Sequence, residues 1–167
     1  MSNLQTNHLK TFGNKLRIRV CSLWVQDHKL LLIKHKAIGG KGYWWAPPGG
    51  GMEFGECAEQ ALTRELLEET GIQATHYEFA FVHEFISPPL HAIELFFHVT
   101  QAHGTVVLGH DPELHTEHQL LEEVRFMSIQ DIAAIPNDCK HNVLVDLSDF
   151  TELLQKKGYS IFNPQGI

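Results

Sequence analysis

The sequence predicts one mixed α/β domain, because runs with strand composition and runs with helix composition share a single chain of 167 residues. Its 43% hydrophobic and 20% charged residues are typical of a globular protein and exclude the fibrous and disordered classes. We expect residues 1–14 to be a polar, frayed N-terminal segment. Residues 15–167 are then expected to form the domain, which ends in a C-terminal helix.

Five runs rich in aromatic and β-branched residues predict β-strands. In chain order they are Leu16–Gln26, Leu30–Lys36, Tyr77–Ile86, His91–Gln101 and Val124–Met127. Two residues, Asp27 and His28, follow the first run, and a link this short predicts a β-hairpin with the second. The third and fourth runs flank Ser87–Leu90, whose two prolines predict a turn.

The sequence predicts one long helix most clearly. Cys57–Thr70 contains strong helix formers without glycine or proline, and Gly71 follows as a left-handed C-terminal cap. Two further helices are expected near the C-terminus, at Ser128–Ile135 and at about 143–154. The histidine-rich stretch Gly104–Gln119 is expected to be a long loop, and loops of that length are often functional.

Charge and cysteine usage exclude several classes of function. The formal net charge is −7, and no run of basic residues forms the positive surface that a nucleic-acid polymer needs for binding. The three cysteines lie far apart with no C-x-x-C pair, so neither a disulfide framework nor a thiolate zinc site is predicted. No segment has the composition of a signal peptide or a membrane span. We therefore expect a cytoplasmic protein without a membrane partner.

Negative charge is concentrated on the predicted helix and just before it. Six glutamates fall within seventeen positions, and only Arg64 opposes them; they are Glu53, Glu56, Glu59, Glu65, Glu68 and Glu69. Glu65 and Glu69 lie in the same helical stripe as Leu62 and Leu66, so they point toward the body of the protein. Two acids in the last turn also oppose the helix dipole, which a sequence selected for folding alone would avoid.

Residues 65, 68 and 69 stand at helical spacings of three and four, so their carboxylates can share one ion. Clustered hard oxygen ligands favour Mg²⁺ or Mn²⁺ over softer metals. The alternative is an ordinary solvated acidic helix face. The glycine-rich segment Pro47–Gly51, which neither a helix nor a central strand accepts, precedes the acids and favours a functional site.

These residues match every fixed position of the Nudix box, so the chain resembles a Nudix hydrolase. The matching positions are Gly50, Glu56, Arg64, Glu65, Leu66, Glu68, Glu69, Gly71 and Ile72. The resemblance implies an α/β/α sandwich around a mixed sheet. It also implies hydrolysis of a pyrophosphate bond in a nucleoside diphosphate joined to a further group.

The resemblance assigns a role to each matching acid. Glu68 and Glu69 would bind Mg²⁺ (or Mn²⁺) with the backbone carbonyl of Gly50, and Glu65 would be a further ligand or the general base. Family members differ in the source of that base, so acids outside the box remain open as alternatives. The candidates are Glu117, Glu122 and Glu123.

Other residues near the box are expected to support the site or to touch the substrate. Arg64 would hold a glutamate by ion pairing, and Glu56 would support the metal shell. Trp44 and Trp45 are adjacent in an extended segment, so at most one lies in the core and the other faces the cleft or a dimer surface. The expected substrate contacts are Trp44, Trp45, Gly49 and Gly51.

The sequence leaves the substrate open. Pro88 lies sixteen positions beyond Ile72, where the family associates proline with ADP-ribose-type substrates, and this slightly favours a sugar nucleotide over a nucleoside triphosphate. A non-catalytic Nudix module that binds a nucleotide metabolite for regulation is the second hypothesis, and an acidic structural domain is the third. A homodimer is also expected, because family members commonly dimerise.

Overall fold

The computed structural model describes residues 3–110 and 119–164. The strands within these ranges are β1 (Lys15–Gln26), β2 (Lys29–Lys36), β3 (Tyr43–Ala46), β4 (Ile72–Ser87), β5 (Leu90–Gly104), β6 (Leu121–Met127) and β7 (Tyr159–Phe162). The helices are α1 (Asn3–Phe12), α2 (Ala58–Thr70), α3 (Ile129–Ala133) and α4 (Phe150–Leu154), with 3-10 turns at Asn137–Cys139 and Asn142–Leu144. Among these described helices, none is long and apolar enough to cross a membrane.

The strands form one mixed sheet in the order β3-β2-β1-β5-β4-β7, and β6 also pairs with β2. Strands β1 and β2 are antiparallel neighbours, which confirms the predicted hairpin. Strands β4 and β5 are antiparallel across the predicted turn and are longer than the sequence indicated. The parallel pairs are β1 with β5 and β4 with β7, so the sheet is mixed as predicted.

Helical layers cover both faces of the sheet. On one face, Ala61 and Leu62 of α2 pack against Val20 of β1 and Phe97 of β5. On the other face, Phe81 and Phe96 stack with ring centroids 4.6 Å apart. The remaining helical segments contribute Ile132, Leu144, Phe150 and Leu153 to the core on that second face. This arrangement confirms the predicted α/β/α sandwich.

The N-terminal segment differs from the prediction. A frayed segment was expected, but Asn3–Phe12 forms α1. The helix ends in contact with the turn between β4 and β5, where the amide of Asn14 donates to the carbonyl of Pro89 at 2.7 Å. The prediction was wrong because this contact joins residues that are far apart in the sequence.

The C-terminal region also differs from the prediction. A continuous helix over about 143–154 is wrong, because Asp146 adopts a positive φ of 56° and interrupts the chain. A new helix, α4, then begins after Asp149, whose carboxylate accepts from the amide of Thr151 at 2.6 Å. Strand β7 follows α4 and was not predicted.

Candidate active site

Helix α2 carries the acidic side chains, and local signals fix both of its ends. The amide of Cys57, the N-cap residue, donates to the side chain of Gln60 at 2.8 Å. Gly71 adopts the left-handed conformation, with a φ of 71°, and donates to the carbonyl of Leu67. The helix therefore begins and ends where the sequence predicts.

Two of the acids lie on the buried face of α2. Glu65 is 7% exposed and Glu69 is 5% exposed, beside Leu62 and Leu66 of the same stripe. A buried carboxylate costs folding free energy unless other groups bind it. Both carboxylates accept hydrogen bonds from groups of the same site, Glu65 from Arg64 and Glu69 from the amide of Gly49.

The glycine-rich segment Pro47–Met52 runs along β1 as an extended loop. The amide of Ser22 donates to the carbonyl of Pro48 at 2.8 Å, and the amide of Val20 donates to the carbonyl of Gly50 at 3.0 Å. These backbone bonds fix the loop against the sheet edge that would otherwise be unpaired. They place its glycines directly over α2.

Two glycines of this segment permit close approach. A Cβ on Gly49 would lie 2.0 Å from the carbonyl oxygen of Val20, and a Cβ on Gly50 would lie 2.5 Å from the carboxyl group of Glu65. The amide of Gly49 donates to Oε2 of Glu69 at 2.8 Å. Glycine is therefore required at position 49, because a side chain there would meet the backbone of β1, and the missing side chain of Gly50 lets the Glu65 carboxylate lie against the loop.

Arg64 joins the acids to one another. Its Nε and Nη2 donate to the two carboxylate oxygens of Glu56 at 3.2 and 2.7 Å. Its Nη1 donates to Glu65 at 2.9 Å and to Glu68 at 3.2 Å, and its Nη2 also reaches the carbonyl of Gly51 at 3.0 Å. The hydrogen bonds from Arg64 lower the pKa of Glu56, so that acid stays ionised. The predicted ion pairing is thus present and involves three glutamates.

The loop after β5 caps the C-terminal end of α2. Three of its backbone amides donate to helix carbonyls that lack an intrahelical partner. The bonds run from Val107 to Thr70 (3.0 Å), from Gly109 to Glu69 (2.9 Å) and from His110 to Glu68 (3.2 Å). These amides offset the negative end of the helix dipole at the turn that carries Glu68 and Glu69.

The donor set suits a divalent cation. Three carboxylates on one helix and the nearby Gly50 carbonyl are hard oxygen ligands, and the missing Cβ of Gly50 leaves room beside Glu65. The Gly50 carbonyl accepts from Val20, which leaves its second lone pair for a metal. As placed, Glu65 and Glu68 are bonded to Arg64, and no three His, Cys, Asp or Glu side chains of the described residues converge as metal ligands. Metal binding would therefore require the carboxylates to rotate.

A cavity of about 320 Å³ opens beside the acids. Its lining includes Glu65 and Glu69 together with Gly49–Gly51, and it also includes the aromatic rings of Trp44 and Phe85. Such a mixture of apolar walls and a few polar groups is typical of a site for a small molecule. Of the expected substrate contacts, the structure brings Trp44, Gly49 and Gly51 to this cavity.

A buried polar network that also lines the cavity was not predicted. Glu94 of β5 is 5% exposed; its Oε2 lies 2.9 Å from Nε2 of His141, and its Oε1 lies 3.4 Å from Nε of Arg19. Burial raises the pKa of Glu94, but the charges of His141 and Arg19 outweigh it and lower the pKa to about 2. Arg19 also donates to the Gly49 carbonyl at 3.0 Å, so the network holds the glycine loop. A charged residue within the apolar run of β5 was the signal that could have identified Glu94.

The same network extends to His83 on β4. Nε2 of His83 lies 2.7 Å from the side-chain nitrogen Nδ2 of Asn142, and Nδ1 lies 2.9 Å from the hydroxyl of Ser160. Burial, together with the neighbouring His141, lowers the pKa of His83 to about 4. His83 is therefore neutral at physiological pH.

Three of the predicted residues lie away from the cavity, and the structure does not describe a fourth. Trp45 is 4% exposed and packs in the core, which confirms that one tryptophan of the pair faces inward, and it does not line the cavity. Glu122 and Glu123 lie on β6, pair with Lys34 and Arg125, and do not line the cavity either. Glu117 lies outside the described residues.

Comparison with known proteins identifies the family. The sequence model of the NUDIX domain matches residues 14–146. The chain belongs to the Nudix family. Nudix hydrolases act on pyrophosphate bonds of small nucleotide substrates and generally use divalent metal ions, and this chain is a hydrolase of that kind.

Two curated relatives cover different shares of the Nudix chain. The RNA pyrophosphohydrolase of Campylobacter jejuni subsp. doylei is 29% identical over 126 residues, which is 69% of this chain and 76% of that protein. The CTP pyrophosphohydrolase of Escherichia coli is 37% identical over 91 residues, which is 52% of this chain and 64% of that protein. The two relatives differ in their substrates.

The fold agrees with solved Nudix structures. The crystal structure of the MutT NUDIX hydrolase from Burkholderia pseudomallei superimposes with a TM-score of 0.64 at 21% identity. The match covers 80% of this chain and 98% of that chain. This likeness shows the fold and supports no statement about the substrate.

Proposed function

We propose that this Nudix hydrolase cleaves the pyrophosphate bond of a nucleoside diphosphate joined to a further group, with Mg²⁺ or Mn²⁺ at Glu65, Glu68 and Glu69. The observation that carries the proposal is the cavity that buried Glu65 and Glu69 line together with apolar side chains, Trp44 among them. A nucleotide fits both kinds of lining. Its phosphates need cations, which the carboxylates can hold, and its base needs an apolar surface.

The residues of this chain would prepare the site for water attack. A bound divalent cation would neutralise phosphoryl oxygens and lower the pKa of a bound water. Arg64 aligns Glu65 and Glu68 through one nitrogen, and the Gly49 amide orients Glu69. Glu65 lies on the cavity wall beside Gly50, so we assign it the role of accepting the proton of the attacking water.

Two substrate classes fit this chemistry. The relative that acts on CTP supports a nucleoside triphosphate, whereas Pro88 in the β4–β5 turn supports a sugar nucleotide such as ADP-ribose. The relative named for RNA adds RNA as a further case. The net charge of −7 disfavours docking on a long phosphate backbone, so we expect a small nucleotide.

A panel of substrates tests the proposal. Nucleoside triphosphates, ADP-ribose, other sugar nucleotides and dinucleoside polyphosphates are incubated with Mg²⁺ or Mn²⁺, and the products are separated by chromatography. We expect selective cleavage that releases a nucleoside monophosphate or a phosphate. If no compound is cleaved but one of them raises the melting temperature, the chain is instead a regulatory nucleotide-binding module.

We also propose that the protein forms a homodimer in the cytoplasm. One sheet face beyond α2 leaves apolar side chains half exposed, namely Leu16, Ile18, Phe79, Tyr159 and Ile161. Exposed apolar residues that adjoin one another on a sheet face are typical of a protein–protein interface. All three cysteines are free, which supports a reducing compartment.

A further inference from the structure

Helix α1 reaches the cavity although it lies outside the family domain. The family match begins at residue 14, whereas α1 spans Asn3–Phe12. Two of its side chains, Leu9 and Phe12, nevertheless line the same cavity as Glu65. An element outside the matched family domain therefore forms part of the wall around the site.

The position of α1 is fixed by its C-terminal end. The Gly13 amide donates to the carbonyl of Leu9 at 2.8 Å, and the Asn14 amide donates to the carbonyl of Pro89 at 2.7 Å. A Cβ on Gly13 would lie 2.4 Å from the Leu9 carbonyl oxygen and 3.3 Å from the Pro89 side chain. The helix end is thus pressed onto the β4–β5 turn, which sets where Phe12 stands.

Phe12 also contacts a cation of the cavity. The guanidinium carbon of Arg17 lies 3.9 Å from the centroid of the Phe12 ring, a close cation–π contact. Arg17 comes from β1 and lines the cavity itself. The ring therefore holds a positive charge beside the space in which an anionic ligand would lie.

The lining of the cavity has the chemistry of a nucleotide-binding pocket. Leu9 and Phe12 of α1 add apolar side chains to a lining that also contains the rings of Trp44 and Phe85. The same lining contains the carboxylates of Glu65 and Glu69 and the guanidinium of Arg17. A ligand that matches this lining combines a flat apolar group with phosphates.

We propose that α1 is a substrate-recognition element in which Leu9 and Phe12 contact the nucleobase and Phe12 positions Arg17 for a phosphate oxygen. The inference rests on the proposed function, because it assigns the base of the same nucleotide substrate. It makes Phe12 a specificity-determining residue supplied by a segment outside the matched family domain.

Steady-state kinetics of Phe12→Ala test the inference, with the best substrate of the panel. We expect the KM to rise about tenfold with kcat within twofold of wild type, because the contact is made equally before and during the reaction. Thr11→Ala is the matched control, since Thr11 is the exposed neighbour on the same helix, and it should leave both constants unchanged. Phe12→Tyr retains the ring and should restore a KM near that of wild type.

Phe12→Leu addresses the case in which the alanine variant fails to fold, because it keeps the apolar volume and removes the ring. An unchanged KM in Phe12→Ala or Phe12→Leu, with wild-type hydrolysis intact, overturns this inference alone. Failure of both variants to fold overturns it as well, since Phe12 is then structural. Absence of any hydrolysis by the wild-type chain overturns the proposed function, and the inference with it.

Discussion

Arg64 is the residue on which the geometry of the acids depends. It donates to Glu56, Glu65 and Glu68, and its planar fork serves all three at once. Lysine would keep the charge but could not reproduce this set of bonds. Removing such a supporting partner from a metal site typically costs 10-fold to 100-fold in activity.

We therefore expect Arg64→Lys to lose about 10-fold to 100-fold in kcat/KM and to need more Mg²⁺ for half-maximal activation. Hydrolysis measured across a Mg²⁺ titration checks this expectation. Lys34→Arg is a suitable control, because Lys34 pairs with Glu122 away from the cavity. Wild-type kinetics in Arg64→Lys would show that the charge alone is sufficient.

The buried His83 should make the free energy of unfolding depend on pH. Its pKa is about 4 in the folded chain, below the ordinary 6.5, because burial and His141 favour the neutral ring. As the pH falls, His83 therefore binds a proton in the unfolded chain before it does so in the folded chain. The stabilisation is complete above pH 6.5 and is lost as the pH falls from about 6.5 toward 4.

We expect the free energy of unfolding to drop by roughly 2 to 3 kcal/mol between pH 7 and pH 4.5 through this group. Urea denaturation of wild type and His83→Gln at the two pH values measures it. The variant should be less stable at pH 7 but should lose less on acidification. Parallel pH dependence in both proteins would argue against the buried neutral histidine.

At the scale of the element, α2 depends on the loop that caps it. A Cβ on Gly109 would lie 1.7 Å from the carbonyl oxygen of Glu68, so even alanine would displace the loop. The capping amides would then leave the helix end beside Glu68 and Glu69. The consequence reaches both stability and activity, because these acids oppose the helix dipole without that cap.

Gly109→Ala should lower the free energy of unfolding by about 2 kcal/mol or more and reduce kcat/KM at least tenfold. The control is Gly158→Ala, where no atom lies within 4 Å and the cost arises only from the positive φ of 78°. Denaturation and kinetics on both variants separate the effects. Full activity in Gly109→Ala would mean that the cap does not position the acids.

The elements also show what the sequence could and could not predict. Helix α2 was predictable because its signals are local, namely the glycine at its end and the spacing of its acids. Helix α1 was missed because its position depends on Pro89, and the pair of Glu94 with His141 was missed because the two residues are 47 positions apart. Sequence periodicity reports which face a residue occupies, but not which distant residue meets it.

At the scale of the whole molecule, the sheet face beyond α2 predicts self-association. The wild-type chain should sediment with twice the mass of 19.0 kDa at micromolar concentration. Ile18→Lys places a charge in the face and should yield a monomer, whereas Leu67→Lys changes an equally exposed residue of α2 and should remain a dimer. A wild-type monomer throughout the concentration range would refute the interface.

The fold also brings residues from three separate elements to the same cavity. Helix α2, the glycine loop and α1 come from separate parts of the chain, yet Glu69, Gly49 and Phe12 line one cavity. The net charge of −7 is concentrated on α2 and just before it, so a bound cation would reverse the sign of the site for a polyanion. We therefore expect hydrolysis to depend on both the carboxylates and the metal.

The most direct test of that account is the rate of nucleotide cleavage by wild type and Glu69→Gln, each with Mg²⁺ and with a chelator. Glutamine can still accept the Gly49 hydrogen bond, so the variant should fold with an unchanged or higher melting temperature. We expect cleavage only in wild type with Mg²⁺, and a loss of at least 100-fold in the variant. Undiminished cleavage in chelator or in folded Glu69→Gln would contradict the account.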